Sequence, residues 1–249
     1  VYVVSQGQNR VRRIDANGVI QTVVGNGIAG SAGDGEEARY AQLNAPTDLS
    51  FGPDGSMYIT EISGHRVRKV APNGIISTLA GTGTASSTGD GGQASAATLN
   101  EPGGVTVLTD GTVYVAEHRT HRLRQISASG TITTVVGLAG GGYGEGTSAS
   151  AKLYHPLGLT TLGGRVYVAD YFNHRIRRYT PTTGRLTTVA GTGGAGYLGI
   201  GDGATGGNVR LSTPTDLEIG PDGAVYVVSQ GQNRVRRIDA NGVIQTVVG

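Results

Sequence analysis

Five histidines are the residues of this sequence best suited to metal binding or to acid–base chemistry. Three of them occupy one position in a recurring phrase of the form Asn-His-Arg-Ile-Arg-Arg, and two further copies of the phrase have asparagine there. A side chain that recurs in this way is typical of a scaffold position, so we expect each one to hydrogen-bond to the backbone of its own repeat. The histidines are His65, His121 and His174, and the asparagines are Asn9 and Asn233.

The remaining two histidines, His118 and His155, lie outside the recurring phrase. A zinc site needs three or four protein ligands that converge on one point. The sequence has no cysteine and no His-Glu-x-x-His motif. We therefore expect no histidine cluster and predict no metal site.

Acidic residues close a hydrophobic strand in three of the repeats, and arginines follow on the next strand. Side chains on adjacent strands lie next to each other, so we predict acid–arginine pairs that link the two strands within each repeat. The acids are Glu61, Glu117 and Asp170, and the arginines are Arg68, Arg124 and Arg177.

A second set of acids lies between glycines, where an aspartate caps a turn by accepting backbone N–H bonds. Calcium needs several oxygen ligands around one point, and one carboxylate in each turn does not supply them. The sequence has no Gly-x-Ser-x-Gly elbow, no phosphate-binding loop and no paired-carboxylate motif. It therefore predicts no catalytic residue and no cofactor. The turn acids are Asp34, Asp90, Glu145 and Asp202.

Most of the 20 basic residues belong to the recurring phrase, so we assign them to the fold. A different group of basic and aromatic residues falls in turns and at the end of one inter-repeat segment, which places the group on one face. We predict that this group is a partner surface, with a protein as the partner. RNA recognition needs many basic residues interleaved with aromatic ones, so RNA is the less favoured partner. The group is His118, Arg119, Tyr154, His155, Tyr171 and Phe172.

The composition indicates a folded chain that is rich in turns. It has 249 residues, of which 44 are glycine, and a net charge of +2 that gives no strong attraction for polyanions. No stretch approaches the roughly 18 apolar residues that a membrane-spanning helix needs. The opening Val-Tyr-Val-Val resembles a strand rather than a targeting segment, so we expect a piece of a longer protein.

Short runs rich in Val, Ile, Thr and Tyr, separated by glycine-containing turns, predict β-strands throughout. Each unit has four strands, and a glycine-rich segment of roughly 20 residues leads to the next unit. Repeated four-stranded units of this length predict an all-β fold, the β-propeller, with antiparallel blades. The expected units are a partial one at 1–25 and full ones at 26–81, 82–137, 138–191 and 192–249.

The composite motif resembles the NHL-repeat family of β-propellers across the whole chain. The resemblance rests on four elements, namely the Asn173–Arg178 phrase, the preceding Val166–Asp170, the Gly-Asp-Gly-Gly spacer that ends before a proline, and the closing Thr188–Gly191. It implies a module that binds protein or RNA or that belongs to an extracellular part of a larger protein. A minority of related propellers are enzymes, and the peptide-amidating lyases among them use a central histidine cluster that we expect to be missing here.

The two ends of the chain carry the same sequence. Residues 1–25 are identical to residues 225–249, whereas the internal repeats have diverged from one another. Either a block of four units is duplicated in tandem, or the segment was copied by engineering. The surplus three-stranded set has an open edge, which favours association with another chain or block.

Taken together, these features predict a non-catalytic structural or protein-interaction module of an extracellular and fibrous assembly. Its partners would be copies of itself or neighbouring blocks of the same protein, joined by blade completion at the duplicated ends. Two alternatives stay open at this point. One is a propeller enzyme of the lyase or lactonase type with a site over the central channel, and the other is an RNA-binding module.

Overall fold

The computed structural model describes residues 1–138, 140–196 and 201–249. The chain is folded into antiparallel β-sheets. It divides into two compact units, of which one contains residues 1–113 with 125–133 and the other contains 114–124 with 134–249.

The first unit contains a three-stranded sheet followed by a four-stranded sheet. In both sheets the strands follow one another in chain order, and each strand is hydrogen-bonded to the next. The three-stranded sheet consists of β1 (Tyr2–Ser5), β2 (Arg10–Ile14) and β3 (Ile20–Val24). The four-stranded sheet consists of β4 (Pro46–Phe51), β5 (Met57–Glu61), β6 (Arg66–Val70) and β7 (Ile76–Ala80).

The next sheet also has four strands, and the division between the two units passes through it. Its strands are β8 (Pro102–Val107), β9 (Val113–Glu117), β10 (Arg122–Ile126) and β11 (Ile132–Val136).

The second unit contains two complete sheets. One has the strands β13 (Pro156–Leu162), β14 (Arg165–Asp170), β15 (Arg175–Thr180) and β16 (Arg185–Ala190), and the short β12 (Gly146–Thr147) is added at the edge of β16. The other has β17 (Pro214–Ile219), β18 (Val225–Ser229), β19 (Arg234–Ile238) and β20 (Ile244–Val248).

These sheets confirm the prediction of an all-β propeller with four full repeats and one partial repeat. The strands coincide with the β-branched runs, and each full repeat begins its first strand at a proline, a residue that a sheet tolerates at the start of a strand. Alternating side chains form an apolar core in each unit, for example Val11, Ile59 and Ile76 in the first. In the second unit Ile176 and Leu217 belong to the corresponding core.

Each of these prolines follows a residue in the left-handed conformation. A side chain of the preceding repeat accepts a hydrogen bond from that residue. Its N–H donates to the histidine or asparagine of the recurring phrase: His65 Nδ1 accepts from Glu101 at 3.1 Å and His174 Nδ1 accepts from Thr213 at 3.0 Å. Asn9 Oδ1 does the same for Ala45 at 2.9 Å. The expectation that these side chains bond within their own repeat is therefore wrong, because they join one repeat to the next. The four pre-proline residues are Ala45, Glu101, His155 and Thr213, with φ between 44° and 54°.

The turn acids also have a role that the sequence did not predict. Asp34 accepts a hydrogen bond from the Thr78 N–H at 3.0 Å and pairs with Arg68 Nη2 at 2.6 Å. The turn therefore lies against β6 and β7 of its own unit rather than capping only itself. Asp202 makes the matching contact with Arg236 Nη2, at 3.0 Å.

The helical segments that the structure describes are single 3₁₀ turns such as Ala38–Tyr40 and Tyr171–Asn173. None of them is long and apolar enough to cross a membrane.

Candidate functional site: a histidine–aromatic cluster

Six ring side chains of the second unit come together in one cluster. His155 lies near its middle: its ring centroid is 4.6 Å from that of His118, 4.4 Å from His121 and 4.9 Å from Phe172. Tyr154 and Tyr171 contact the Phe172 ring, with centroid distances of 5.6 and 4.6 Å. We call the set the histidine–aromatic cluster; its members are His118, His121, Tyr154, His155, Tyr171 and Phe172.

A buried carboxylate and a half-buried imidazole accept hydrogen bonds from the Tyr154–His155 segment, which ends the inter-repeat connection before β13. The Tyr154 N–H donates to Asp170 Oδ1 at 2.7 Å, and the His155 N–H donates to His121 Nδ1 at 3.1 Å. His155 adopts φ 54°, a left-handed conformation that is uncommon for a residue other than glycine. The two hydrogen bonds hold the segment in this conformation, so its rings project from a fixed backbone.

The turn between β14 and β15 carries the other two aromatic residues. The Phe172 N–H donates to the Tyr154 carbonyl at 3.1 Å, which joins the turn to the segment described above. The Tyr171 hydroxyl lies 3.3 Å from Gln230 Oε1 in the next repeat. Asn173 Nδ2 donates to Asp170 Oδ2 at 2.8 Å, so the same carboxylate holds both parts of the cluster.

Asp170 is itself held by an arginine that has no exposed surface. Arg177 Nη1 donates to Asp170 Oδ2 at 2.9 Å, and Arg177 Nη2 donates to the Gly144 carbonyl at 2.8 Å. Burial raises the pKa of Asp170 to about 6, and Arg177 and the Tyr154 N–H limit the rise. At neutral pH the carboxylate is therefore ionised and can accept the hydrogen bonds that position the rings.

The corresponding pairs of the other repeats are also buried, but their geometry differs. Arg124 Nη1 donates to Glu117 Oε2 at 3.2 Å. Arg68 Nη1 lies farther away, at 3.7 Å from Glu61 Oε1, and Arg68 Nη2 pairs with Asp34 instead. Burial raises the pKa of the Glu61 carboxyl to about 7. The structure thus places each predicted acid beside its predicted arginine, most closely in the repeat that carries the cluster.

Two of the three histidines of the cluster have lowered pKa values, and the exposed Arg119 lies beside them. Burial and the nearby His118, His121 and Arg119 lower the pKa of His155 to about 4. Burial, His118 and Arg119 also lower the pKa of His121. His155 Nδ1 and His118 Nε2 are 3.2 Å apart, so one ring donates a hydrogen bond and the other accepts it.

The expectation that the histidines would not converge is wrong for three of the five. His118 lies in the turn between β9 and β10, and His121 is the left-handed residue at the end of that turn. His155 is the pre-proline residue of the next repeat. The three rings are adjacent in space. Within the described part of the chain, no group of three or more histidine, cysteine or acidic side chains is arranged to hold a metal ion. His121 Nδ1 is already an acceptor for the His155 N–H, which takes that nitrogen away from a metal.

All six residues of the predicted partner surface lie in or beside this cluster. His121, which the sequence assigned to the scaffold alone, is an additional member. No sequence signal marked it, because His65 and His174 occupy the same repeat position. The ring side chains that distinguish this site are specific to one pair of repeats, since the residues matching Tyr154 and His155 elsewhere are Asn-Ala, Asn-Glu and Ser-Thr.

Comparison with known proteins identifies two regions that match family models. Residues 82–142 match the teneurin NHL domain, and residues 153–179 match the NHL repeat. The chain is 30% identical over 258 residues to the Arabidopsis thaliana protein SUPPRESSOR OF QUENCHING 1, chloroplastic, covering 97% of the chain and 24% of that protein. It is 27% identical to NHL repeat-containing protein 2 of Bos taurus, covering 96% of the chain and 37% of that protein. The chain therefore spans less than two fifths of the length of each of these relatives.

A structural comparison gives a similar fold in a protein of different sequence. Virginiamycin B lyase from Staphylococcus aureus superposes with a TM-score of 0.58 at 16% identity, covering 100% of this chain and 66% of the lyase. At this level of identity the likeness concerns the fold alone.

Proposed function

The chain belongs to the NHL-repeat family of β-propellers, and on that basis we propose that it is a non-catalytic protein-interaction module of a larger assembly. The observation that carries the proposal is the histidine–aromatic cluster, which concentrates six rings on one side of the repeats. Tyr154 is 40% exposed and Phe172 is 45% exposed. Exposed aromatic side chains on a rigid backbone are typical anchors of protein interfaces.

The backbone beneath the cluster favours binding because it is already in place before a partner arrives. The Asp170 carboxylate and the His121 ring hold the Tyr154–His155 segment, so little conformational entropy is lost when a partner binds. The lowered pKa values of His121 and His155 leave these two rings uncharged at neutral pH, and Arg119 adds a positive charge. This combination suits a protein surface with apolar side chains and a carboxylate for Arg119.

Four arginines of the recurring phrase, one in each full repeat, are not available to an RNA partner. Arg68, Arg124, Arg177 and Arg236 are buried, and each is paired with an acid of the fold. A phosphate backbone needs basic side chains that are accessible. The proposal is therefore a protein partner, namely copies of this chain or neighbouring blocks, in an extracellular and fibrous assembly completed at the duplicated ends.

One observation favours a second candidate, an enzyme of the propeller lyase type. The paired nitrogens of His118 and His155 could accept and return a proton, and virginiamycin B lyase shares the fold. The pKa of about 4 for His155 leaves it neutral at pH 7 and makes it a weak base. Metal analysis of the purified protein separates the candidates, because stoichiometric Zn or Ca would favour the enzyme.

The interaction is tested by photo-cross-linking from position 172. A photoreactive phenylalanine at Phe172 is expected to give protein adducts, and the adduct partner, once purified, is expected to bind the wild-type chain. The double variant Tyr171→Ser, Phe172→Ser should weaken that binding at least about tenfold, the loss of one or two aromatic anchors, without lowering the melting temperature.

The matched control is Tyr40, an exposed aromatic residue outside the cluster. A photoreactive residue at position 40 should give no such adduct, and Tyr40→Ser should bind the purified partner normally. Equal adducts from both positions, or unchanged binding by the double variant, would show that the cluster is not the partner surface.

A further inference from the structure

The first unit contains a groove between the β4–β7 sheet and the turns that follow β8 and β10. One wall consists of the turn at Asp54 with the side chains of Tyr58 and Lys69. The other consists of the turn at Asp110 with the buried Val113. The volume of the groove is about 320 Å³, at the lower end of the range for ligand pockets. A site of this size takes a single side chain or a small molecule rather than a folded surface.

The acid on the first wall already has its counter-charge. Lys69 Nζ donates to Asp54 Oδ2 at 3.2 Å, and the same ammonium group lies 5.2 Å from the centroid of the Tyr58 ring. The matching acid of the β17–β20 sheet is paired in the same way, since Arg237 Nε donates to Asp222 Oδ2 at 2.7 Å. In these two repeats, a base on the third strand therefore neutralises the acid of the first turn.

The acid on the second wall has no such base. Gln125 stands where the other two repeats have Lys69 and Arg237, and the strands that carry Gln125 and Lys69 share one pattern of burial. Asp110 Oδ1 accepts a hydrogen bond from the Thr112 N–H at 2.9 Å, and among the described residues this is the only hydrogen bond of its carboxylate. The groove therefore carries one negative charge that the fold leaves uncompensated.

The turn by itself does not require that charge, because an asparagine accepts the same backbone hydrogen bond as an aspartate. The charge lies beside an apolar surface, since the buried Val113 and Ile126 line the groove next to the turn. An arginine side chain matches both features. Its guanidinium donates two parallel hydrogen bonds to a carboxylate, and its methylene stem packs on apolar surface.

We propose that this groove binds an arginine side chain of a protein partner, with the Asp110 carboxylate as the acceptor for the guanidinium. Charge complementarity selects the occupant, because one uncompensated carboxylate matches one cation. The groove is a second interaction surface, independent of the histidine–aromatic cluster, because no residue of the cluster lines it. Failure of the cluster to bind a partner therefore says nothing against the groove, and the reverse also holds.

The test is a nuclear magnetic resonance titration of the full chain with N-acetylarginine methylamide, which presents one arginine side chain without terminal charges. Saturable shifts are expected at the amides of residues 109–113. N-acetylcitrulline methylamide has the same shape without the charge, so it should bind at least about tenfold more weakly, as expected for the loss of a hydrogen bond between charged groups. If n-butylamine binds as tightly as the arginine probe, the groove takes simple amines and the proposal is wrong.

Two variants test the role of the Asp110 charge. Asp110→Asn keeps the turn and should weaken binding of the arginine probe at least about tenfold. Gln125→Lys should have the same effect by a different route, because the introduced ammonium group reproduces the pair of Lys69 with Asp54 and occupies Asp110. The matched control is Asp222→Asn, which changes the corresponding acid of another repeat and should leave the affinity unchanged.

The proposal is overturned if the wild type shows no saturable shift at residues 109–113. It is also overturned if Asp110→Asn or Gln125→Lys binds the arginine probe as tightly as the wild type does.

Discussion

Replacing Arg177 by alanine is expected to lower the free energy of unfolding by about 3–5 kcal/mol, the cost of removing one partner of a buried ion pair. The pair with Asp170 is fully buried on both sides. Without the guanidinium, Asp170 keeps the Tyr154 N–H and the Asn173 amide as donors but loses its counter-charge. The Gly144 carbonyl also loses its donor.

The assay is urea unfolding of the wild type and the variant at pH 8 and at pH 5. Burial already raises the pKa of Asp170 to about 6, above its value in the unfolded chain, so this carboxyl destabilises the fold as the pH rises through 6. Loss of Arg177 raises that pKa further. The free energy of unfolding that the variant loses relative to the wild type should therefore be larger at pH 8 than at pH 5, where the carboxyl is protonated. A loss of about 3–5 kcal/mol corresponds to roughly 6–20 °C in melting temperature.

The matched control is Arg237→Ala, which breaks an ion pair of similar length in another repeat. Arg237 Nε lies 2.7 Å from Asp222 Oδ2, but the two side chains are 28% and 37% exposed. Exposed ion pairs contribute little to stability because solvent screens them, so this variant should be nearly neutral. Two results would refute the assignment of Arg177 as the buried counter-charge of Asp170. One is an equal loss in free energy of unfolding in both variants, and the other is a loss in Arg177→Ala that does not change with pH.

Three further outcomes are expected. The contribution of His155 to stability should be lost as the pH falls from 6.5 to 4, because the pKa of this histidine is lowered to about 4 in the fold. The urea midpoint of the wild type should therefore fall relative to that of His155→Phe over this range, and identical slopes against pH would contradict the assignment. His65→Ala should cost about 1 kcal/mol through loss of the bond from the Glu101 N–H, whereas His65→Asn should be close to neutral because Asn9 makes the same bond elsewhere. Deleting residues 1–24 should abolish association while the other sheets persist, and light scattering that shows the same mass per particle would argue against blade completion.

The strands of this fold could be predicted because their determinants are local. Runs such as Met57–Thr60 and Val225–Val228 are β-branched or apolar at consecutive positions, and glycine-containing turns separate them. The structure assigns strands at Met57–Glu61 and Val225–Ser229, within one residue of those limits. The unit boundaries at 25, 81, 137 and 191 stay a prediction.

The long-range contacts could not be predicted in the same way, since they depend on the path of the chain. Asp34 and Arg68 are 34 positions apart, and nothing in the Gly-Asp-Gly turn indicates which strand the turn lies against. His155 provides a second case. Its left-handed φ comes from the His121 acceptor, and the pre-proline residues Ala, Glu, His and Thr share no side-chain chemistry that would reveal it.

The two copies of the 25-residue segment separate local from non-local determinants within one molecule. Both copies form the same 3₁₀ turn after the first strand, and the residue that ends it has φ 52° at Asn9 and 51° at Asn233. Local sequence therefore fixes the strands, the turn and the left-handed residue without help from the preceding chain. Burial does not follow from the same residues, because Val3 and Val227 differ completely in exposure. A repeat of this kind carries its own backbone conformation, whereas the burial of its strands depends on the segments that pair and pack with it, as β17 pairs with β18.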